Sequence, residues 1–141
     1  MGMYTEVIFR GTISKSKVGN DIFDIFDYMF NPNSRVDINS LKLPDHEFFK
    51  CQRWSSIGNM SSFYHHPNRV VDWYIPYYNL PIENNTDVYI FSRNDLKNYN
   101  GEIDKFFDWV QTLGIFHDGE YMGQSMYEEY NTPKIYIQGE V

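Results

Sequence analysis

The chain repeats itself faintly: Thr5 to Met29 resembles Thr86 to Val110 at a fixed offset of 81 positions. Thr5-Glu6-Val7 answers Thr86-Asp87-Val88, and Ile22, Phe26 and Asp27 return as Ile103, Phe107 and Asp108. Asp21 pairs with Glu102, Ile25 with Phe106, Tyr28 with Trp109 and Met29 with Val110. Each copy reads as a strand, a polar loop and a short amphipathic helix. In Asp21 to Phe30 the apolar residues Ile22, Ile25, Phe26 and Met29 fall at i, i+3, i+4 and i+7, the stripe of a helix that buries one face. Asn20 or Asp21 can cap it, and Asn31-Pro32-Asn33 stops it. Ile103, Phe106, Phe107 and Val110 hold the same register in Glu102 to Leu113, and Gly114 is a natural end.

The remaining β-rich runs are Phe48 to Ser56, Met60 to His66, Arg69 to Tyr78, and a closing hairpin of Tyr121 to Tyr130 with Lys134 to Gln138. Lys15 to Asn20, Arg35 to Glu47 and Asn94 to Asn100 read as loops. With Tyr4 to Ser14 and Asp87 to Arg93 as the strands of the two copies, the order is β-α-β-β(-β), then β-α-β-β. This order predicts an α+β fold: a two-layer sandwich with one antiparallel sheet and two helices on one face. Two pseudo-duplicated β-α-β-β halves would be the economical arrangement, although any two strand-helix units share such a pattern. A length of 141 residues suits a single domain, residues 1–141.

Composition narrows the function classes. The net charge of −7 repels phosphate backbones and anionic membranes, which disfavours nonspecific nucleic-acid binding. One cysteine, Cys51, excludes an internal disulfide and fits a reducing compartment. No apolar run nears the roughly 18 residues of a spanning helix, and no signal-peptide pattern opens the chain. These features together predict a cytoplasmic protein.

No common catalytic motif is present: no glycine-rich phosphate loop, no nucleophile elbow, no zinc-protease helix. His65 and His66 would point to opposite faces of a strand, so they do not share a metal ion. Cys51, alternating with Phe49 in an expected strand, reads as a small buried hydrophobe. No catalytic residue, metal ligand or cofactor is therefore assigned. Binding chemistry is better represented. Aromatic residues make up 18% of the chain. Between Arg53 and Tyr78 they interleave with Arg, His and small hydroxyls. Arg53, Trp54, Tyr64, His65, Arg69 and Trp73 are the candidate ligand-binding residues: the rings could stack a base while the arginines neutralise phosphate. The same residue types also make protein hot spots, or simply the core side of a sheet.

Three segments carry a resemblance: Leu96-Lys97-Asn98-Tyr99-Asn100-Gly101-Glu102-Ile103-Asp104-Lys105-Phe106-Phe107-Asp108-Trp109, the run Leu43 to Trp54, and Gly123 to Ile137 with its Tyr-Glu-Glu. They resemble small proteins encoded by phages and prophages of Gram-positive bacteria. The resemblance spans roughly Tyr4 to Ile137 and brings no catalytic residues. It implies an accessory protein in the bacterial host cell, one that acts non-enzymatically by binding a host target. Counter-defence is one such role, by inhibiting a host protein or sequestering a nucleotide-like signal. The alternatives are a small enzyme acting on a nucleotide or phosphoester, using His65 or His66 with Glu128 or Glu129, and a structural or assembly protein that forms a homo-oligomer.

Overall fold

Strand β1 (Thr5–Ser14) alternates cleanly: Val7, Phe9 and Ile13 are buried while Glu6, Ile8, Arg10 and Thr12 turn the other way. This is the period-2 pattern of a strand with one face on a core. A computed structural model of the protein describes residues 3–31, 34–58, 63–64 and 87–141. In it β1 is the centre of a five-stranded antiparallel sheet of order β2-β3-β1-β4-β5. The others are β2 (Phe63–Tyr64), β3 (Asp87–Leu96), β4 (Tyr121–Tyr127) and β5 (Lys134–Ile137). β1 pairs with β3 over its whole length, from Thr5 opposite Leu96 to Ser14 opposite Asp87. The strands of the two echoing segments are therefore direct neighbours.

Three helices accompany the sheet among the described residues: α1 (Lys15–Val18), α2 (Asn20–Phe30) and α3 (Glu102–Val110). The longer two pack on the same sheet face. The Phe9 ring meets Phe26 and Phe30 of α2 at 6.3 and 5.7 Å, and Phe106 and Phe107 of α3 at 5.0 and 6.0 Å. The expected α+β architecture, an antiparallel sheet with two helices on one face, is what forms. Local details differ. Lys15–Val18, read as loop, makes a short helix that breaks at Gly19, whose φ of 88° suits glycine. β3 continues to Leu96, three residues past its expected end.

The largest correction concerns the run expected as a strand over Phe48 to Ser56. Glu47–Lys50 and Trp54–Ile57 are 3-10 helical turns instead. Phe48, Cys51, Trp54 and Ile57 are all buried, at a spacing of three, which is the period of a 3-10 helix rather than of a strand. Their rings close the core beside α3. Phe48 lies 5.9 Å from Trp109 and 5.3 Å from Phe106, and Phe49 meets Trp109 at 4.7 Å. The Asn94 amide ties this segment to β3, with Nδ2 donating to the Ser56 carbonyl at 2.8 Å. The run Arg69 to Tyr78 lies outside the described residues, as does most of Met60 to His66. No described helix is long and apolar enough to cross a membrane.

Two glycines mark where packing leaves no room for a side chain. A Cβ on Gly123 would overlap the Ile8 carbonyl and come within 2.7 Å of the Phe107 ring. A Cβ on Gly58 would sit 2.6 Å from the Met29 carbonyl. Gly123 follows an irregularity in the β4–β5 pairing that turns Met122 fully into the core. Gly123→Ala is expected to destabilise the fold by about 1–3 kcal/mol through overpacking. Phe9→Ala should cost about 3–5 kcal/mol. Both losses should read as lower urea midpoints with little change in slope.

Candidate functional site

The register of the sheet assembles one end of the molecule. Thr5 lies opposite both Leu96 of β3 and Tyr127 of β4. Hence Tyr4, the loop from Lys97 to Gly101 and the turn from Tyr127 to Tyr130 converge, although they are far apart in sequence. The Tyr4 carbonyl accepts the Glu128 amide at 3.2 Å, and the Tyr130 amide closes the turn on the Tyr127 carbonyl at 2.8 Å. Three open clefts ring this end. The largest, about 830 Å³, lies between α3 and the β4–β5 hairpin and is lined by Asn98, Tyr99, Asp104, Tyr127, Tyr130 and Tyr136. A second, about 530 Å³, holds Tyr4, Arg53, Asn94, Lys97 and Tyr99. The third, about 510 Å³, is acidic, with Tyr4, Glu6, Asp95 and Glu128. Tyr99 is shared by the first two clefts and Tyr4 by the last two.

The rings here are presented rather than buried. Tyr99 is 65% exposed, Tyr130 66% and Tyr4 45%. Two cations stand over two of them: the Arg53 guanidinium 5.9 Å from the Tyr99 ring and Lys97 Nζ 5.6 Å from the Tyr4 ring. Tyr127 and Tyr130 meet edge to face at 5.5 Å and 77°. The loop is rigidly built. Asn98 Oδ1 accepts the Ile103 amide at 3.0 Å, satisfying a first-turn donor of α3 from five residues upstream. The buried Glu102 carboxylate accepts the Asn100 amide at 3.1 Å, and Gly101 takes a left-handed φ of 67°.

The floor of the large cleft is a polar pin. The Tyr136 hydroxyl donates to Asp104 Oδ1 at 2.5 Å and shares a 2.9 Å bond with the Ser125 hydroxyl. Lys134 Nζ reaches the same Asp104 oxygen at 3.0 Å. The Tyr136 ring stacks on Phe107 at 4.0 Å. Burial, then the Asp104 carboxylate, pushes the Tyr136 phenol far above the ordinary tyrosine range. These bonds fasten the hairpin to α3. Burial opposes the charge on Asp104. The hydrogen bonds from Tyr136 and Lys134 outweigh it and hold that carboxyl below the usual aspartate range.

The other chemically able groups are committed elsewhere. His46 Nδ1 accepts the Phe48 amide at 3.0 Å, so the ring proton sits on Nε2 and donates to Asp108 at 2.9 Å. Cys51 is buried, with Sγ 3.7 Å from the Glu47 carbonyl and 3.9 Å from Lys105 Nζ. Among the described residues, no group of three or more His, Cys, Asp or Glu side chains is placed to hold a metal ion. Glu128 and Glu129 are exposed on the turn after β4.

Of the residues singled out from sequence, Arg53 stands at this end. Trp54, its neighbour, does not serve as a stacking platform: it is 6% exposed and packed among Tyr28, Phe48 and Phe49. Tyr64 pairs with Tyr89 at the β2 edge of the sheet. His65, His66, Arg69 and Trp73 lie outside the described residues. Tyr4, Tyr99 and Tyr130 were not singled out. Their signal was faint: each stands just beyond the end of a strand or inside a turn, where a large ring has no core to enter.

No family model, curated protein or solved structure matches the chain.

Tyr136→Phe is expected to cost about 1–3 kcal/mol, because it removes the partner of the buried Ser125 hydroxyl, while the exposed Asp104 keeps Lys134. The depressed Asp104 carboxyl contributes stability at neutral pH, and that contribution is lost as pH falls below about 4 and through its folded value. Thermal melts from pH 7 to pH 2.5 should show Asp104→Asn converging with the native protein at the acid end.

Proposed function

We propose that this chain is a non-enzymatic binding protein that holds a protein partner at the tyrosine-rimmed end of its sheet. In the phage setting that its sequence resembles, the partner is a host-cell protein and the effect is to occupy or block it. One observation carries this reading. Tyr4, Tyr99 and Tyr130, each exposed, all stand at one end, around clefts that share their walls. Tyr and Arg on a rigid base make hot spots, since they bury much area for little lost rotamer freedom.

The shape and charge of the clefts favour a protein over a nucleotide. All three are open to solvent rather than enclosed. In the cleft that holds Arg53 and Lys97, Asp95 and the buried Glu102 offset both cations, which removes the positive field a phosphate needs. The pin under the large cleft supports binding over turnover, because its hydroxyls are locked to one another.

A photo-crosslinking amino acid placed at residue 99 is expected to trap a discrete host protein in cells that express the chain. The same probe at Lys17, on α1, should trap none. Tyr4→Ala with Tyr130→Ala should abolish the residue-99 crosslink while leaving the melting temperature within a few degrees. Equal labelling from both positions, or a crosslink indifferent to the double substitution, contradicts the reading.

A further inference from the structure

We propose that the free edge of β5 pairs with the β5 edge of a second copy of this chain, antiparallel about a two-fold axis at Ile135. The proposal goes beyond the reading of the tyrosine-rimmed end and is carried by other groups.

Among the described residues β5 ends the sheet and pairs with β4 alone. The hydrogen bonds around it fix which backbone groups are left. The Gln138 amide donates to the Glu120 carbonyl at 2.9 Å, and the Gln138 carbonyl accepts the Gly119 amide at 3.0 Å. Alternation along the strand then turns the backbone groups of Tyr136 and Lys134 towards β4, and those of Ile137, Ile135 and Pro133 away from it. The other side of β4 agrees. The Glu128 amide donates to the Tyr4 carbonyl at 3.2 Å, so counting back by twos commits the Gln124 backbone to β1 and none of it to Ile135 opposite. Ile137 spends its carbonyl on the Glu140 amide at 3.0 Å. The edge therefore offers two donors, the Ile135 and Ile137 amides, and two acceptors, the Ile135 and Pro133 carbonyls.

That set is self-complementary. With Ile135 opposite Ile135 of the second copy, the two residues exchange both their bonds. The next outward pair sets Ile137 opposite Pro133, and the Ile137 amide donates to the Pro133 carbonyl. Proline has no amide to return, and the Ile137 carbonyl, already bonded, needs none. The two-fold axis repeats the pair, so every donor on one edge meets an acceptor on the other.

Side chains and charge fit the same register. Tyr136 is buried on the α3 face, so Ile135 turns to the opposite face, where it is 45% exposed and meets its own counterpart. On the α3 face Lys134 stands opposite Tyr136 of the second copy, the residue whose hydroxyl holds Asp104. Each ammonium then lies between two carboxylates, its own Asp104 at 3.0 Å and Asp104 of the second copy. Lysine and proline commonly guard an edge strand against pairing. Here Lys134 is folded over the Tyr136 ring at 5.3 Å, and the amide that Pro133 lacks is the one the register does not use. Space is available as well: a groove of about 460 Å³ lies beside Lys134, Ile135 and Tyr136, walled by Asp104, Lys105 and Asp108 of α3.

The net charge of −7 repels a second copy at long range, so the test is made at about 0.15 M salt, where that field is screened beyond about 8 Å. Sedimentation of the purified native protein should show a monomer passing into a dimer as concentration rises. Ile135→Pro removes an amide that β4 does not use, so it should keep the native circular dichroism and weaken the dimer at least about tenfold. Introduced cysteines read the register. In the paired edges Ile135 lies about 5.5 Å from its counterpart, within disulfide range, and Ile137 about 14 Å from its own. Ile135→Cys should therefore link two copies under oxidised glutathione, at least about tenfold faster than Ile137→Cys. A native chain that stays monomeric at every concentration overturns the proposal. So does a dimer that Ile135→Pro leaves intact, or one that the two cysteines link at equal rates or not at all.

Discussion

The structure depends on one ring. Phe9, in the middle of the central strand, touches two rings of α2, two of α3 and Phe116 from the segment that leads into β4. Each contact lies in the distance range where aromatic pairs add to their area burial, and the contact with Phe106 is near-perpendicular at 85°. Because β1 pairs with β3 on one side and β4 on the other, holding Phe9 fixes the helices relative to the sheet and the strands relative to one another. Glycine is required where Phe107 presses on β4, and that closeness follows from the same crowding.

A core organised this way explains why the protein spends so many aromatic residues. The phenylalanines and tryptophans of the described segments mostly go inside, while several tyrosines are left for the periphery. Tyr136 is the intermediate case. Its ring stacks in the core and its hydroxyl reaches Asp104 and Ser125 at the floor of the large cleft. The hairpin is thereby fixed to α3, and the turn that carries Tyr127 and Tyr130 inherits that rigidity. A preorganised tyrosine surface loses little freedom on binding.

The sequence was most legible where one period dominates. The i, i+3, i+4, i+7 stripes of α2 and α3, the alternation along β1 and the closing hairpin are all readable from residue order, and they define the fold class. The segment from Phe48 to Ser56 reads as a strand because its aromatic residues mimic one; the three-residue spacing of Phe48, Cys51, Trp54 and Ile57 is the signal that distinguishes it. Arg53 and Trp54 are neighbours in sequence, and only the fold shows that one lies outside and the other in the core. Tyr99 and Tyr130 were invisible for a different reason. Their adjacency comes from the pairing of Thr5 with Leu96 and Tyr127, long-range register that no local pattern encodes.

The echo between the two strand-helix segments also acquires a physical meaning. Its matched apolar positions, Val7 with Val88, Ile25 with Phe106, Phe26 with Phe107 and Met29 with Val110, are buried in both copies. Outside those segments the halves part: one continues into 3-10 turns that plug the core, the other into the hairpin that builds the cleft. The most direct test of this account is a tyrosine footprint. Nitration followed by mass spectrometry, on purified protein and in cells that express it, reads each ring separately. Strong modification of Tyr99 and Tyr130 in the purified protein, with both protected in cells and Tyr136 silent throughout, is the predicted result. Equal modification of Tyr99 and Tyr130 in the two settings would contradict the claim that this end of the sheet is where the protein does its work.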